Sequence, residues 1–406
     1  MARFSRVSTL IVKVTHRCNL DCVYCYEHIT KTGEDMPLEV FEELARLALS
    51  ETQEACVNFL FHGGEPTLLP NAWYEQAIAR ARHWASVYGK SVRFSMQTNL
   101  LGLTESKIAL FKEYDIALGI SLDGPASLQS TQRGGEDKVF QHFKRLQRER
   151  IKAGVLMTIN QSNYADFFMI CDWLVHHAQV RSFKANVVTP VGRGVDMPMM
   201  QAQEIFAAQQ AILQYMIQTK GEALVEDNLA TELLRFFASD EERAKMPASL
   251  CHEKRCGAGE KVLGVTPQGH LLPCGRFTWD DVPYYLGSLP EIAHNPAAQE
   301  QMAAKIADFH ALVPQSWYDC DGCAAKRVCG FGCQAFIVRS RSQANVDCLP
   351  TKMRFAFYEA HKNELLPVWQ ALRRRNQPAP RPERTPFRIK KADGTYASYE
   401  LRVNSE

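Results

Sequence analysis

STLIVKVTHRCNLDCVYC, Ser8 to Cys25, sets a short apolar run directly ahead of three cysteines spaced C-x3-C-x2-C. Leu10, Ile11, Val12 and Val14 are β-branched or aliphatic and only Lys13 interrupts them, the pattern of a first strand. Cys18, Cys22 and Cys25 then fall on the loop that leaves the strand. Three thiolates on one short loop can hold three irons of a 4Fe–4S cluster and leave the fourth open to a small molecule, whereas an electron-transfer cluster uses four Cys. Zinc is the competing reading. It takes four ligands, commonly from paired C-x2-C units, and His16 would have to supply the fourth from the strand.

Outward from this stretch, the protein has 406 residues, enough for two to three domains and a large core. Lys and Arg number 47 against 45 Asp and Glu, a net charge of +2, which argues against a nucleic-acid binder that works by phosphate neutralisation. No apolar run reaches the ~18 residues of a membrane span. Lys13 and the lack of a small-residue cleavage site argue against a signal peptide. Thirteen Cys is an odd number, and with no export signal a disulfide framework is disfavoured.

Up to about residue 190, strand-like runs (8–15, 56–62, 91–97, 116–122, 154–159 and 182–188) alternate with helical spacing, as at 38–50, 72–88 and 105–113. This predicts an α/β fold with a parallel sheet, either a partial barrel or a doubly wound sheet. From 199 to 239 the pattern is helical with no strand between. LGVTPQGHLLPC (263–274) reads as a short hairpin turning at Pro267, Gln268 and Gly269, and 353–373 as one closing helix. Residues 373–386 form a Pro/Arg linker. The tail FRIKKADGTYASYELRV alternates around Asp393-Gly394, a hairpin signal.

CNLDCVYC, with Tyr24 before its last Cys, resembles the signature of the radical S-adenosylmethionine (SAM) superfamily. FHGGEP (61–66), QTN (97–99) and SLDGP (121–125) follow at the ends of the second, third and fourth strands, where barrels carry chemistry. The resemblance implies that Gly63 and Gly64 let the backbone approach the methionine part of SAM. Glu65 would lie where its amino group is held. Thr98, Asn99, Ser121 and Asp123 would lie near its ribose and carboxylate. Arg133 and Arg193 are further candidates for the SAM carboxylate or the substrate.

Eight Cys lie from Cys251 onward. Cys256-x12-Gly269-x4-Cys274, then Cys320-x2-Cys323-x5-Cys329-x3-Cys333 and Cys348, resemble the SPASM extension, the auxiliary-cluster domain of peptide-modifying radical SAM enzymes. By that resemblance Cys251, Cys256, Cys274 and Cys333 hold one 4Fe–4S cluster and Cys320, Cys323, Cys329 and Cys348 a second; spacing alone would group Cys333 with Cys329. Cys56 and Cys171 remain as core residues. The implied architecture is a partial (β/α)6 TIM-like barrel (1–198), a helical bridge (199–248), a SPASM domain with a β-hairpin and helices (249–375), and the linker and hairpin (376–406).

The implied chemistry uses three 4Fe–4S clusters and SAM. A 5′-deoxyadenosyl radical takes a hydrogen from a C–H bond of one residue in a ribosomal precursor peptide, on its side chain. The product is a crosslink, a carbon–carbon one of the cyclophane type. A flavodoxin or ferredoxin-type protein would be the reductant, in the cytoplasm, with neither nucleic acid nor membrane as partner. The alternative is a sulfatase-maturating (formylglycine-forming) or thioether-forming enzyme. Sulfatase-maturating members carry an Asp base directly after the Cys matching Cys274. Gly275-Arg276 stands there in this sequence, and the nearby Asp281 is the candidate base. The sequence starts on its first barrel strand, so a separate protein would bind the peptide leader, or the C-terminal hairpin would dock it by edge-strand pairing.

Overall fold

The computed structural model describes residues 4–27, 29, 32–246, 256–278, 282–311, 320–338, 347–375, 387–390 and 396–399. Strand and helix alternate through the first half. β1 (Thr9–Thr15) leads through the cysteine loop to α1 (Leu38–Glu51), then β2 (Cys56–Gly63) and α2 (Asn71–Val87). β3 (Ser91–Thr98), α3 (Glu105–Glu113), β4 (Ala117–Ser121), α4 (Ala126–Gln132) and α5 (Glu136–Arg148) follow. β5 (Ala153–Ile159), α6 (Phe167–His176) and β6 (Ser182–Val187) complete the series. β1 to β6 pair in parallel and in sequence order, as the alternating pattern predicts.

Phe59 and Phe61 of β2 pack on Phe41 of α1, and Phe61 also packs on Trp73 and Tyr74 of α2. That face of the sheet is therefore the one the helices cover, and it holds the main apolar core. The residues between point to the opposite, concave face and are half-buried, giving β2 a strict two-residue alternation. The concave face is polar: Asn58 Nδ2 donates to Ser95 Oγ (3.0 Å), and Gln97 Nε2 to Ser121 Oγ (2.9 Å).

Past β6 come α7 (Ala202–Gln218), β7 (Val225–Glu226), α8 (Asp227–Phe237) and α9 (Asp240–Lys245). The strand-free reading of 199–239 thus misses β7, which adds two residues in parallel to β6. So short a strand leaves no periodic signal. β8 (Val262–Val265) and β9 (His270–Leu272) form the expected hairpin, with Gly269 at φ 83° in its turn. β8 pairs in parallel with β1, so the hairpin extends the barrel sheet, and β10 (Gly287–Ser288) adds to β9. The order is β10-β9-β8-β1-β2-β3-β4-β5-β6-β7, an open sheet of 10 strands.

α10 (Leu289–His294), α11 (Pro296–Ala311), α12 (Gln334–Ile337), α13 (Cys348–Ala360) and α14 (Lys362–Arg375) follow. The single closing helix expected at 353–373 is in fact two, broken at His361. β11 (Phe387–Lys390) and β12 (Tyr396–Tyr399) pair antiparallel as their own two-stranded sheet, the predicted tail hairpin. The Pro/Arg linker beyond 375 lies outside the described residues. Cys171 is fully buried on α6, as expected, whereas Cys56 opens β2 and is only half-buried.

Candidate functional site

The cysteine loop crosses the C-terminal ends of the strands and is tied down from several of them. Val23 N–H donates to the Gln132 carbonyl (3.0 Å). Arg193 N–H donates to the Cys25 carbonyl (2.9 Å), and Arg193 Nη1 to the Cys22 carbonyl (3.0 Å). The Arg193 guanidinium also pairs with Asp21. Gly192 sits at φ 55°, where a β-carbon would lie 2.5 Å from the Cys25 oxygen, so only glycine lets this turn press on the loop. The Arg193 guanidinium is therefore engaged with the loop itself.

Burial pushes the Cys18 thiol up to about 11 and Cys25 up to about 12, with the charge of Cys22 adding to both. The three sulfurs thus lie within electrostatic reach of one another. A group that favours thiolates is what would offset this desolvation. Asn99 Nδ2 approaches Cys18 Sγ (3.8 Å) while donating to Asn19 Oδ1 (2.9 Å).

Tyr24 turns inward from the loop. Its hydroxyl donates to Asp123, which is fully buried and also accepts from Arg133 Nε (2.8 Å) and Thr158 N–H (3.0 Å). Arg133 stacks over the Tyr24 ring at 5.0 Å. This network underlies the cysteine loop.

Glu65, 1% exposed, accepts four hydrogen bonds. Oε1 receives Thr67 N–H (3.0 Å), Thr67 Oγ1 (2.6 Å) and Thr98 Oγ1 (2.7 Å), and Oε2 receives Asn99 N–H (2.7 Å). Gly63 and Gly64 have a local reason to be glycine: added β-carbons would lie 2.3 Å from the Thr15 oxygen and 2.1 Å from the Arg17 oxygen. Close approach of the backbone leaving β1 fixes both positions. Gly64 N–H donates to the Thr15 carbonyl (2.8 Å) and Glu65 N–H to the Arg17 carbonyl (2.7 Å).

The interrupting Lys13 is 1% exposed and forms a buried ion pair with Glu27 (2.9 Å), while donating to the Phe277 carbonyl (2.9 Å). His62, opposite Lys13 in the β1–β2 register, approaches Glu27 (3.4 Å) and meets the Tyr26 hydroxyl through Nε2 (3.1 Å). Burial alone would raise the Glu27 carboxyl, but Lys13 and His62 overcome it and hold Glu27 at about 2. Sequence reasoning missed this cluster. Its one signal is a lysine inside an apolar strand, which must be paired if buried.

The C-terminal thiols gather in two places. Cys256, Cys274 and Cys333 pack against a second, small core of Val262, Leu272, Phe277 and Phe309, and Cys274 feels the charge of both others. Cys348 feels Cys323 and Cys320, and Cys329 feels Cys348. Cys333 thus groups with Cys274. Cys251 and Asp281 lie outside the described residues. Gly275 lies over β1, where a β-carbon would meet Ile11 Cγ2 at 2.9 Å, which leaves little room for a carboxylate-bearing residue after Cys274.

A parallel barrel with a three-cysteine loop, a GGEP turn and a buried glutamate at its strand ends defines a SAM-type cluster domain. The family model of the Radical SAM superfamily matches residues 12–174, the stretch that holds the three-cysteine loop and the GGEP turn. The cysteine-type anaerobic sulfatase-maturating enzyme of Clostridium novyi is 29% identical over 168 residues, 38% of this chain and 44% of that enzyme, so the overlap spans under half of that relative. The serine-type enzyme of Klebsiella aerogenes is 24% identical over 350 residues, 79% of this chain and 78% of that enzyme. Among solved structures, native anSMEcpe with bound AdoMet and Cp18Cys peptide superposes with a TM-score of 0.74 at 18% identity, covering 90% of this chain and 99% of that one. Streptococcus suis SuiB bound to precursor peptide SuiA gives 0.55 at 14% identity, covering 84% and 74%. These likenesses establish a shared fold. Among the described residues no helix is long and apolar enough to cross a membrane.

Proposed function

We propose that the protein is a peptide maturase that removes a hydrogen from the side chain of one residue in a ribosomal precursor peptide and closes an intramolecular crosslink, a carbon–carbon one of the cyclophane type. The carrying observation is the sorting of ten described cysteines into three separate thiol groups, one at the barrel mouth and two in the C-terminal region. Thiols gathered within mutual electrostatic reach suit clusters in which each sulfur takes its own iron. We assign Cys18, Cys22 and Cys25 to the first, with SAM. Cys251, Cys256, Cys274 and Cys333 take the second, and Cys320, Cys323, Cys329 and Cys348 the third. The first cluster with SAM supplies a 5′-deoxyadenosyl radical.

The protein's own residues then position and protect. Arg193, Gly192 and Gln132 fix the loop backbone, and Tyr24, Asp123 and Arg133 brace it from below. Glu65 locks the turn at Gly63-Gly64 against Thr98 and Asn99, so the SAM-facing edge is preorganised. The polar concave face lined by Asn58, Gln97 and Ser121 is where SAM and the peptide would lie. The division at 198, 248 and 375 stands as part of this reading, as do cytoplasmic location, a flavodoxin or ferredoxin-type reductant and a separate leader-binding protein.

A second reading, formylglycine formation, is favoured by the wide overlap with anSMEcpe. The lack of room for a carboxylate at Gly275 weighs against it. The test is anaerobic incubation of the reconstituted full-length protein with SAM, dithionite and a candidate peptide encoded beside the gene. Loss of two hydrogens with no backbone fragments between two residues supports a crosslink. An aldehyde that reacts with a hydrazine supports the second reading. No 5′-deoxyadenosine from protein with about twelve irons overturns both.

A further inference from the structure

The residue pair that replaces the carboxylate after Cys274 has a positive charge in it, and that charge is aimed. Arg276 Nη1 donates to Thr189 Oγ1 (2.8 Å) and lies 3.6 Å from Cys333 Sγ. Its backbone N–H faces the Cys274 sulfur. Thr189 is 6% exposed and sits in the loop after β6, the same loop whose Gly192 and Arg193 hold the cysteine loop of the barrel. Arg276 therefore bridges the barrel mouth to the thiol group of Cys256, Cys274 and Cys333. It also lies within electrostatic reach of Tyr26, which follows Cys25.

We propose that Arg276, held by Thr189, raises the reduction potential of the centre on Cys256, Cys274 and Cys333. The proposal rests on the cluster reading above. Adding an electron to a cluster adds negative charge, and a fixed guanidinium beside a ligating sulfur stabilises that form. Arginine stays protonated at all working pH values, so the effect is constant. A hydrogen bond to the ligand sulfur acts in the same direction as the charge. The Cys320, Cys323, Cys329 and Cys348 group has charges of its own: Arg354, paired with both Glu232 oxygens at 2.8–3.2 Å, and Lys352, which acts on Cys348.

The test uses the full-length protein with Cys18, Cys22 and Cys25 all changed to Ala, leaving the auxiliary centres alone. Redox titration followed by electron paramagnetic resonance is run with Arg276 intact, Arg276→Gln, Arg276→Lys and Thr189→Val. The expected result is a negative shift of one centre in Arg276→Gln, the other unmoved. Arg276→Lys keeps most of the potential, and Thr189→Val gives a smaller shift of the same sign. Unchanged potentials at full iron content overturn the proposal. If Arg276→Gln fails to hold iron, Thr189→Val and Arg276→Lys decide, and no shift in either overturns it. A parent protein with no iron–sulfur signal overturns the cluster reading beneath it, before any Arg276 variant is compared.

Discussion

Arg193 Nη1 donates to the carbonyl oxygen of Cys22 at 3.0 Å, joining the loop after β6 to the cysteine loop after β1. The same residue donates its backbone N–H to Cys25 and pairs with Asp21. Arg193→Met removes the guanidinium contacts while keeping the length. Loss of a charge-assisted bond costs about 1.5–3 kcal/mol where the partner is buried. The expected outcome is a barrel cluster that loses iron in gel filtration while both auxiliary signals persist. A barrel iron content equal to the parent's would show that the clamp is dispensable.

Cys333 packs with Cys274 and Cys256 on the same small core. Cys333→Ser and Cys256→Ser should therefore erase the same auxiliary signal, and Cys329→Ser and Cys348→Ser the other. The measurement is electron paramagnetic resonance of each reduced variant. Paired loss for Cys329 and Cys333 would reverse the grouping.

Two of the donors on Glu65 cannot turn away, since Thr67 N–H and Asn99 N–H are backbone groups on opposite oxygens. Glu65→Gln always sets its NH2 against one of them. A buried donor left unsatisfied costs about 1–3 kcal/mol. The urea midpoint should fall accordingly with the slope unchanged, and SAM binding should weaken in equilibrium dialysis.

Glu226 caps α8 through Leu229 N–H (2.7 Å) and also receives Ala185 N–H (2.9 Å). Burial pushes its carboxyl up to about 7 from an ordinary 4.5, with the backbone N–H groups opposing only in part. The unfolded state ionises first as pH rises. Stability is therefore full below about pH 4.5 and falls by roughly 3 kcal/mol as pH climbs towards 7. Urea unfolding across that range should show the slope, and Glu226→Gln should flatten it.

Gly275→Ala places a β-carbon 2.9 Å from Ile11 Cγ2. Overpacking of this kind costs about 1–3 kcal/mol. Thermal unfolding should show the loss, and Ile11→Ala in the same protein should relieve part of it. Full additivity of the two changes would rule out the clash. Gly275→Asp is expected to destabilise further without gaining formylglycine formation.

The β/α alternation, the three-cysteine loop and the hairpin around Gly269 were legible because each is encoded within about thirty residues. Period-two and helical patterns, cysteine spacing and turn glycines all act locally. Where the signal was shorter or interrupted it failed. Two residues of β7 carry no periodicity, and the break at His361 lies inside a continuous helical pattern.

Contacts between distant segments were beyond the sequence's reach. Lys13 read as a blemish in a strand, and only the return of Glu27 and His62 to its side makes it a buried ion pair. Glycines 63 and 64 read as space for a ligand, while the approach of Thr15 and Arg17 already requires them.

Sequence by itself determined the element order and the spacing of the thiols along the chain, because spacing and periodicity are properties of neighbouring residues. Tertiary structure alone decided that β8 and β9 join the barrel sheet through β1, and that Arg193 and Arg276 reach cysteines far from them in sequence. Those pairings depend on where the backbone returns, and the free energy that selects them comes from packing and charge between segments that no local pattern records.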